Sequence, residues 1–169
     1  MKRVILTSGP RGAGKSTYAN SFLERNPWVK GISRDELLIE LFGKTSLSPY
    51  TGGHEYAYEI FFERIEKILN NSKANLDLVV DCWNGGPGER KGMLKKFRDF
   101  GAERVICWKF MTSLEICLDW FMKKEDSKGY SEFGFRDDYR FYHKTSENIE
   151  EDGFDKVYLI NPLQLDLFN

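Results

Sequence analysis

The 169-residue chain has little of what would mark a secreted, membrane-embedded or strongly polyanion-seeking protein. It has three cysteines, Cys82, Cys107 and Cys117. An odd number without metal-ligand spacing gives neither a closed disulfide framework nor a cysteine zinc site, and two of the three lie in apolar runs as small core residues. A reducing, cytoplasmic compartment is expected. No apolar run approaches the roughly 20 residues that span a bilayer, and only Val4-Ile5-Leu6 precedes the first glycine-rich loop, so secretion and membrane insertion are not expected. Charge of neither sign dominates: 25 basic residues face 26 acidic ones for a net −1. A global field that gathers polyanions is thereby excluded, and any contact with one must be local. The two histidines, His54 and His143, have no partner at ligand spacing, so surface or N-terminal helix positions are expected of them rather than catalysis or metal binding. Internal repeats, low-complexity tracts and long linkers are also missing, which leaves residues 1–169 as one expected domain, large enough for its own core.

What the chain does have is Gly9-Pro10-Arg11-Gly12-Ala13-Gly14-Lys15-Ser16-Thr17, a complete G-x-x-x-x-G-K-[ST] pattern directly behind an apolar run. A strand entering such a loop and a helix leaving it form a phosphate cradle, with backbone N–H groups turned toward phosphate oxygens and the positive helix end behind them. Gly9, Gly12, Ala13 and Gly14 are expected to shape the cradle. Lys15 would reach the β- and γ-phosphates, Ser16 would ligate Mg²⁺ and Thr17 would open the helix. The pattern implies ATP and Mg²⁺ as cofactors and leaves the reaction open.

Along the chain, apolar strand segments alternate with helical periodicity. Strands are expected around Val4, over Trp28–Ser33, at Leu78–Val80, at Val105–Trp108 and at Val157–Ile160. Between them lie helices marked by Tyr18 to Leu23, Leu37 to Phe42, Ala57 to Ile68, Met93 to Phe100 and Leu114 to Phe121. From Lys123 to Arg140 charge and glycine replace periodicity, which reads as a mobile lid before a last helix around Tyr139 to Ile149. The expected fold is α/β: about five parallel strands with helices on both faces and a lid in the C-terminal half. The loops after Ser8, Ser33, Asp81 and Phe110 should then converge on one rim, beyond the carboxyl ends of the strands.

The residues gathered there are Lys15 with Ser16, Arg34 with Asp35, Asp81 with Asn84, and the basic segment starting at Lys123. They suit phosphoryl transfer, which needs positioning, charge neutralisation and a carboxylate to take a hydroxyl proton. Asp35 is either that base or the N-cap of the helix at Glu36. Asp81 is a metal-orienting or acceptor-binding carboxylate, or one satisfied within the Gly85-Gly86 turn. Trp83 either stacks on an acceptor base or packs on a neighbouring helix.

The set Gly9 to Thr17, Ser33-Arg34-Asp35, Val79 to Asn84 and Glu89-Arg90 resembles the kinase domain of the bacteriophage-type polynucleotide 5′-kinases. Those belong to a wider group of P-loop kinases that includes the zeta toxins, and the resemblance spans most of the chain. It implies Asp35 as general base, Asp81 and Asn84 beside acceptor and metal, Arg34 and Arg90 on the substrate side, and a lid arginine, Arg136 or Arg140, as phosphate clamp. It further implies transfer of the γ-phosphoryl of ATP to the 5′-hydroxyl of DNA or RNA. Leu38 stands where polynucleotide kinases commonly carry an arginine that engages the strand. A kinase of nucleosides, nucleotides or other small molecules is therefore the runner-up, followed by a P-loop ATPase or nucleotide-dependent switch.

Overall fold

A computed structural model describes residues 1–48, 50–72, 75–124 and 127–164. The elements in order are β1 (Lys2–Ser8), α1 (Lys15–Arg25), β2 (Lys30–Ser33), α2 (Arg34–Phe42), α3 (Gly53–Asn71), β3 (Leu76–Asp81), α4 (Pro87–Asp99), β4 (Arg104–Phe110), α5 (Leu114–Met122), α6 (Glu132–Thr145), a 3₁₀ turn over Ile149–Asp152 and β5 (Lys156–Ile160). The strands form one sheet in the order β2-β3-β1-β4-β5, parallel at every pairing. The expected α/β architecture with a five-stranded parallel sheet is the observed one.

Alternation along the strands divides the core in two. Val4 and Leu6 of β1, with Leu78 and Val80 of β3, face Leu37, Phe61, Ile65, Met93 and Phe97 from α2, α3 and α4. Ile5, Val79, Trp108 and Phe110 face the other way, onto Tyr18, Ala19, Cys117, Phe121 and Phe135 from α1, α5 and α6. Strands covered on both sides must be apolar at every position, which is why these runs are short and unbroken. Tyr18 joins the second layer edge-on to both Trp108 and Phe110, at 5.3 and 5.4 Å between ring centroids.

Local chemistry sets the helix starts around the rim. Ser33 caps α2, its hydroxyl accepting from the Glu36 amide at 3.4 Å. The capping role left open for Asp35 thus belongs to Ser33, and Asp35 sits in the first turn. Pro87 opens α4, and Glu89 closes the turn before it by accepting from the Gly86 amide at 3.1 Å.

The expectation of a lid from Lys123 to Arg140 needs correction. Residues 125 and 126 lie outside the described residues, and from Glu132 onward the segment is helix α6, with Phe135 and Tyr142 fully buried. Phe135, Tyr139 and Tyr142 form a helical stripe at i, i+4 and i+7. Arg136, Asp137, Asp138 and Arg140 crowd the other positions and obscure that stripe in the sequence. No described helix is long and apolar enough to cross a membrane.

Candidate active site

The phosphate loop is shaped by close backbone contacts. Gly12 and Gly14 take left-handed conformations, φ 71° and 85°. A Cβ on Gly12 would lie 2.2 Å from the carbonyl oxygen of Cys117 in α5. No side chain fits there, and the loop lies directly on the α5 backbone. Thr112, just past β4, donates its hydroxyl to the Ala13 carbonyl at 2.8 Å and fastens the loop from the other side.

Lys15 folds back over the loop, its Nζ donating to the carbonyls of Gly9 at 3.0 Å and Pro10 at 2.8 Å. Desolvation pushes its pKa down, and the Asp81 charge partly offsets this. Asp81, at the carboxyl end of β3, is buried and doubly bound. Oδ1 accepts from the Thr7 hydroxyl and Oδ2 from the Ser16 hydroxyl, each at 2.6 Å. The register of β1 beside β3 makes this possible: Leu6 pairs with Val80, so Thr7 and Asp81 are neighbours at the sheet's edge over the loop.

Across the cavity from the loop, Arg34 donates from Nη2 to Nδ1 of His54 at 3.1 Å, and Nε2 of His54 lies 3.3 Å from the Leu47 carbonyl. A guanidinium only donates and a carbonyl only accepts, so this geometry selects the neutral tautomer with hydrogen on Nε2. His54 is thus near the start of α3, as expected of it, with a defined role in holding Arg34.

Gly12, Ala13, Gly14, Lys15, Ser16, Thr17, Arg34, Asp35 and Asp81 all line one cavity of about 190 Å³, while Gly9 underlies it. Three expected site residues are elsewhere. Arg90 has no exposed surface: Nε meets Asp152 at 2.5 Å, Nη1 donates to the carbonyls of Asn84 and Gly85, and Nη2 to that of Thr145. It is an internal strut beneath the turn and not a group that faces a substrate. Asn84 is also turned inward, donating from Nδ2 to the carbonyls of Thr7 at 2.7 Å and Cys82 at 3.0 Å. Its buried Oδ1 has no partner among the described residues. Arg136 points away from the cavity into ion pairs with Glu132 at 2.7 Å and Glu115 at 3.3 Å.

Two groups at the cavity, Arg11 and Phe121, were not expected there from the sequence, whereas Trp83 and the basic segment from Lys123 are candidates for it by sequence. Trp83, Lys124 and Phe121 line it together with Arg11. Arg11 is the only charged residue in the variable positions of the loop, and that was the available signal. Trp83 both packs and lines: a Cβ on Gly85 would come within 2.3 Å of its ring, so the glycine seats the indole.

Residues 4–136 match the model of a family described as an AAA domain. Among solved structures, one chain of the Pnkp1/Rnl/Hen1 RNA repair complex superposes with a TM-score of 0.70 at 18% identity, covering 86% of this chain and 45% of that one. The present chain therefore spans less than half the length of that relative. Shikimate kinase from Bacteroides thetaiotaomicron superposes with a TM-score of 0.59 at 15% identity, covering 92% and 85% of the two chains. Shikimate kinase from Acinetobacter baumannii, in complex with shikimate, gives 0.53 at 18% identity, covering 94% and 83%. The fold is one shared with small-molecule kinases and with a component of an RNA repair complex.

Proposed function

The chain belongs to this AAA domain family, and from that premise we propose that it is an ATP-dependent phosphotransferase that moves the γ-phosphoryl group to the 5′-hydroxyl end of a polynucleotide. The observation that carries the reading is the convergence of Lys15, the Ser16–Asp81 pair and Asp35 on a single cavity. A carboxylate opposite the phosphate loop can take the proton that a hydroxyl acceptor loses on attack.

In this reading the loop amides and Lys15 hold the β- and γ-phosphates, with Lys15 exchanging the carbonyls of Gly9 and Pro10 for phosphate oxygens. Arg34, held by His54, positions the acceptor. Its hydroxyl oxygen forms the new bond to phosphorus as the bond to the β,γ-bridging oxygen breaks, and Asp35 takes the proton. A hydroxyl and a carboxylate side by side, Ser16 and Asp81, are a donor set suited to Mg²⁺, which takes few protein ligands and completes its shell with water and phosphate. With the nucleotide in place that ion would neutralise phosphate charge. No group of three or more acidic, histidine or cysteine side chains that could hold a metal occurs among the described residues. Three free cysteines, all buried, accord with a cytoplasmic location.

Likeness to a chain of an RNA repair complex supports the polynucleotide acceptor. Leu38 favours a second reading. It is 1% exposed on α2, so the position that carries a strand-gripping arginine in the resembled kinases is apolar and closed here. A small hydroxyl acceptor fits that surface. Transfer from labelled ATP to 5′-hydroxyl DNA, 5′-hydroxyl RNA, nucleosides and nucleotides, run side by side, separates the two. Label on a small molecule with none on either strand rejects the polynucleotide acceptor, and ATP turnover without any phosphorylated acceptor rejects transfer altogether.

A further inference from the structure

We propose that Arg11 is a catalytic residue of this site, resting on Asp138 until a nucleotide binds and then passing its guanidinium to the oxygens of the transferring phosphoryl group. The inference rests on the phosphotransferase reading above. Lys15 Nζ, which must reach the terminal phosphates, lies on the carbonyls of Gly9 and Pro10. Arg11 is the next residue, so its side chain leaves the loop at the end where the γ-phosphate is delivered.

The guanidinium stands over the faces of two rings, 5.4 Å from the centroid of Trp83 and 5.3 Å from that of Tyr130. Trp83 follows the β3 turn on the acceptor side and Tyr130 precedes α6, so Arg11 spans the gap between donor loop, acceptor turn and α6. Ring faces hold a cation in place without consuming its N–H donors. The hold from Asp138 is weak. Nε reaches Asp138 Oδ2 at 3.2 Å, the same oxygen already accepts the Tyr130 hydroxyl at 2.5 Å, and the two charged side chains are 43% and 36% exposed. Releasing an exposed pair of this kind costs a factor of about two to five.

The other arginines near the site are committed. Arg136 is held by two glutamates, Arg90 is enclosed and Arg34 is engaged by His54. A planar fork that is always charged suits the equatorial oxygens of a phosphoryl group in flight better than a lysine does. An arginine placed on that charge is worth orders of magnitude in turnover.

The competing account makes Arg11 a bolt between loop and α6, and the two accounts differ in sign. The probe is ADP with Mg²⁺ and aluminium fluoride, a mimic of the transferring phosphoryl group, compared with Mg-ADP alone by calorimetry on the full chain. Arg11→Ala should leave Mg-ADP affinity within about twofold and weaken the fluoride complex by about a hundredfold, with Arg11→Lys recovering only part. Asp138→Asn should strengthen the fluoride complex about two- to fivefold by removing the competitor for the guanidinium. A bolt predicts that Arg11→Ala and Asp138→Asn weaken it together. That result, or a fluoride complex unaffected by Arg11→Ala, or a parent protein that does not discriminate the fluoride complex from ADP, overturns the assignment. Because the probe needs no acceptor, failure of every hydroxyl acceptor in the transfer assay would reject the reading above and leave this measurement standing. Conversely, normal transfer by Arg11→Ala would reject Arg11 alone.

Discussion

Replacing Arg90 by methionine should destabilise the protein severely while leaving the substrate-facing groups of the cavity in place. The guanidinium is fully enclosed and bonds to Asp152, to the carbonyls of Asn84 and Gly85 and to that of Thr145, tying α4 to the turn after β3, to the end of α6 and to the 3₁₀ turn. Methionine fills part of the volume but leaves the Asp152 carboxylate, itself 5% exposed, without its cation. Breaking one side of a buried pair costs about 3–5 kcal/mol. For a domain of this size each kcal/mol moves the melting temperature by about 2–4 °C. The expected loss is therefore roughly 6–20 °C, read by circular dichroism and checked by urea unfolding at constant m-value. Asp152→Asn should cost a comparable amount, since it strands the arginine instead. The paired change Arg90→Met with Asp152→Leu should cost less than the sum, because an apolar pair carries no stranded charge. A role on the substrate side predicts the opposite pattern, with an unchanged melt and a raised KM for the acceptor. A melt of Arg90→Met within about 2 °C of the parent would refute the account of Arg90 as a strut.

Lys15→Ala should nearly abolish transfer with the fold intact, because the charge on the β- and γ-phosphates goes while the loop keeps its Thr112 and α5 contacts; turnover at parental rate by the folded variant would place that charge elsewhere. Asp35→Asn should lower turnover by about 10²- to 10⁴-fold with little change in ATP affinity; separate binding and turnover measurements check it. Burial pushes the thiols of Cys82, Cys107 and Cys117 up to about 12, so at pH 8 roughly one in 10⁴ is thiolate; a chromogenic disulfide should find almost none in the native protein and all three after denaturation. His143 is held below its ordinary pKa by burial and then by Lys109. The unfolded chain therefore takes up the proton first, and this histidine's contribution to stability is full above its ordinary value near 6.5 and lost as pH falls below it; His143→Gln should flatten the decline of the melting temperature below pH 7 relative to the parent.

Most of the fold was legible because it is written in short-range patterns: unbroken apolar runs for strands buried on both faces, helical stripes between them, and glycines where the chain turns. Helix starts were less legible: the cap of α2 has a candidate in Asp35 but belongs to Ser33, and α4, marked in the sequence from Met93, begins at Pro87. The start of α6, where the Ser131 hydroxyl accepts from the Gly134 amide at 3.0 Å, was hidden because four charged residues outnumber Phe135 and Tyr139 in that window and only tertiary contact shows which face is inside. In the site, the phosphate loop and Asp81 could be placed from sequence, since strand, loop and helix fix them locally. Asn84 and Arg90 could not. Polar side chains after a strand look the same in sequence whether they face a ligand or brace the turn beneath it, and the bracing partners, Thr7, Thr145 and Asp152, are distant in the chain. Thr7 itself gave little signal, for its use depends on the register of β1 against β3.

The seat of Gly12 against the Cys117 carbonyl divides the cavity into two kinds of surface with different futures. On the loop side, main chain is pressed on main chain at Gly12, so a side chain at that position must move α5 as well. The opposite wall is made of side chains, Arg34 and His54 on the α2–α3 side and Trp83 at the end of β3. On the phosphotransferase reading proposed above, a lineage built on this scaffold can exchange its acceptor while keeping its phosphate donor, and a designer who wishes to redirect it has reason to leave Gly12 alone and work on the opposite wall.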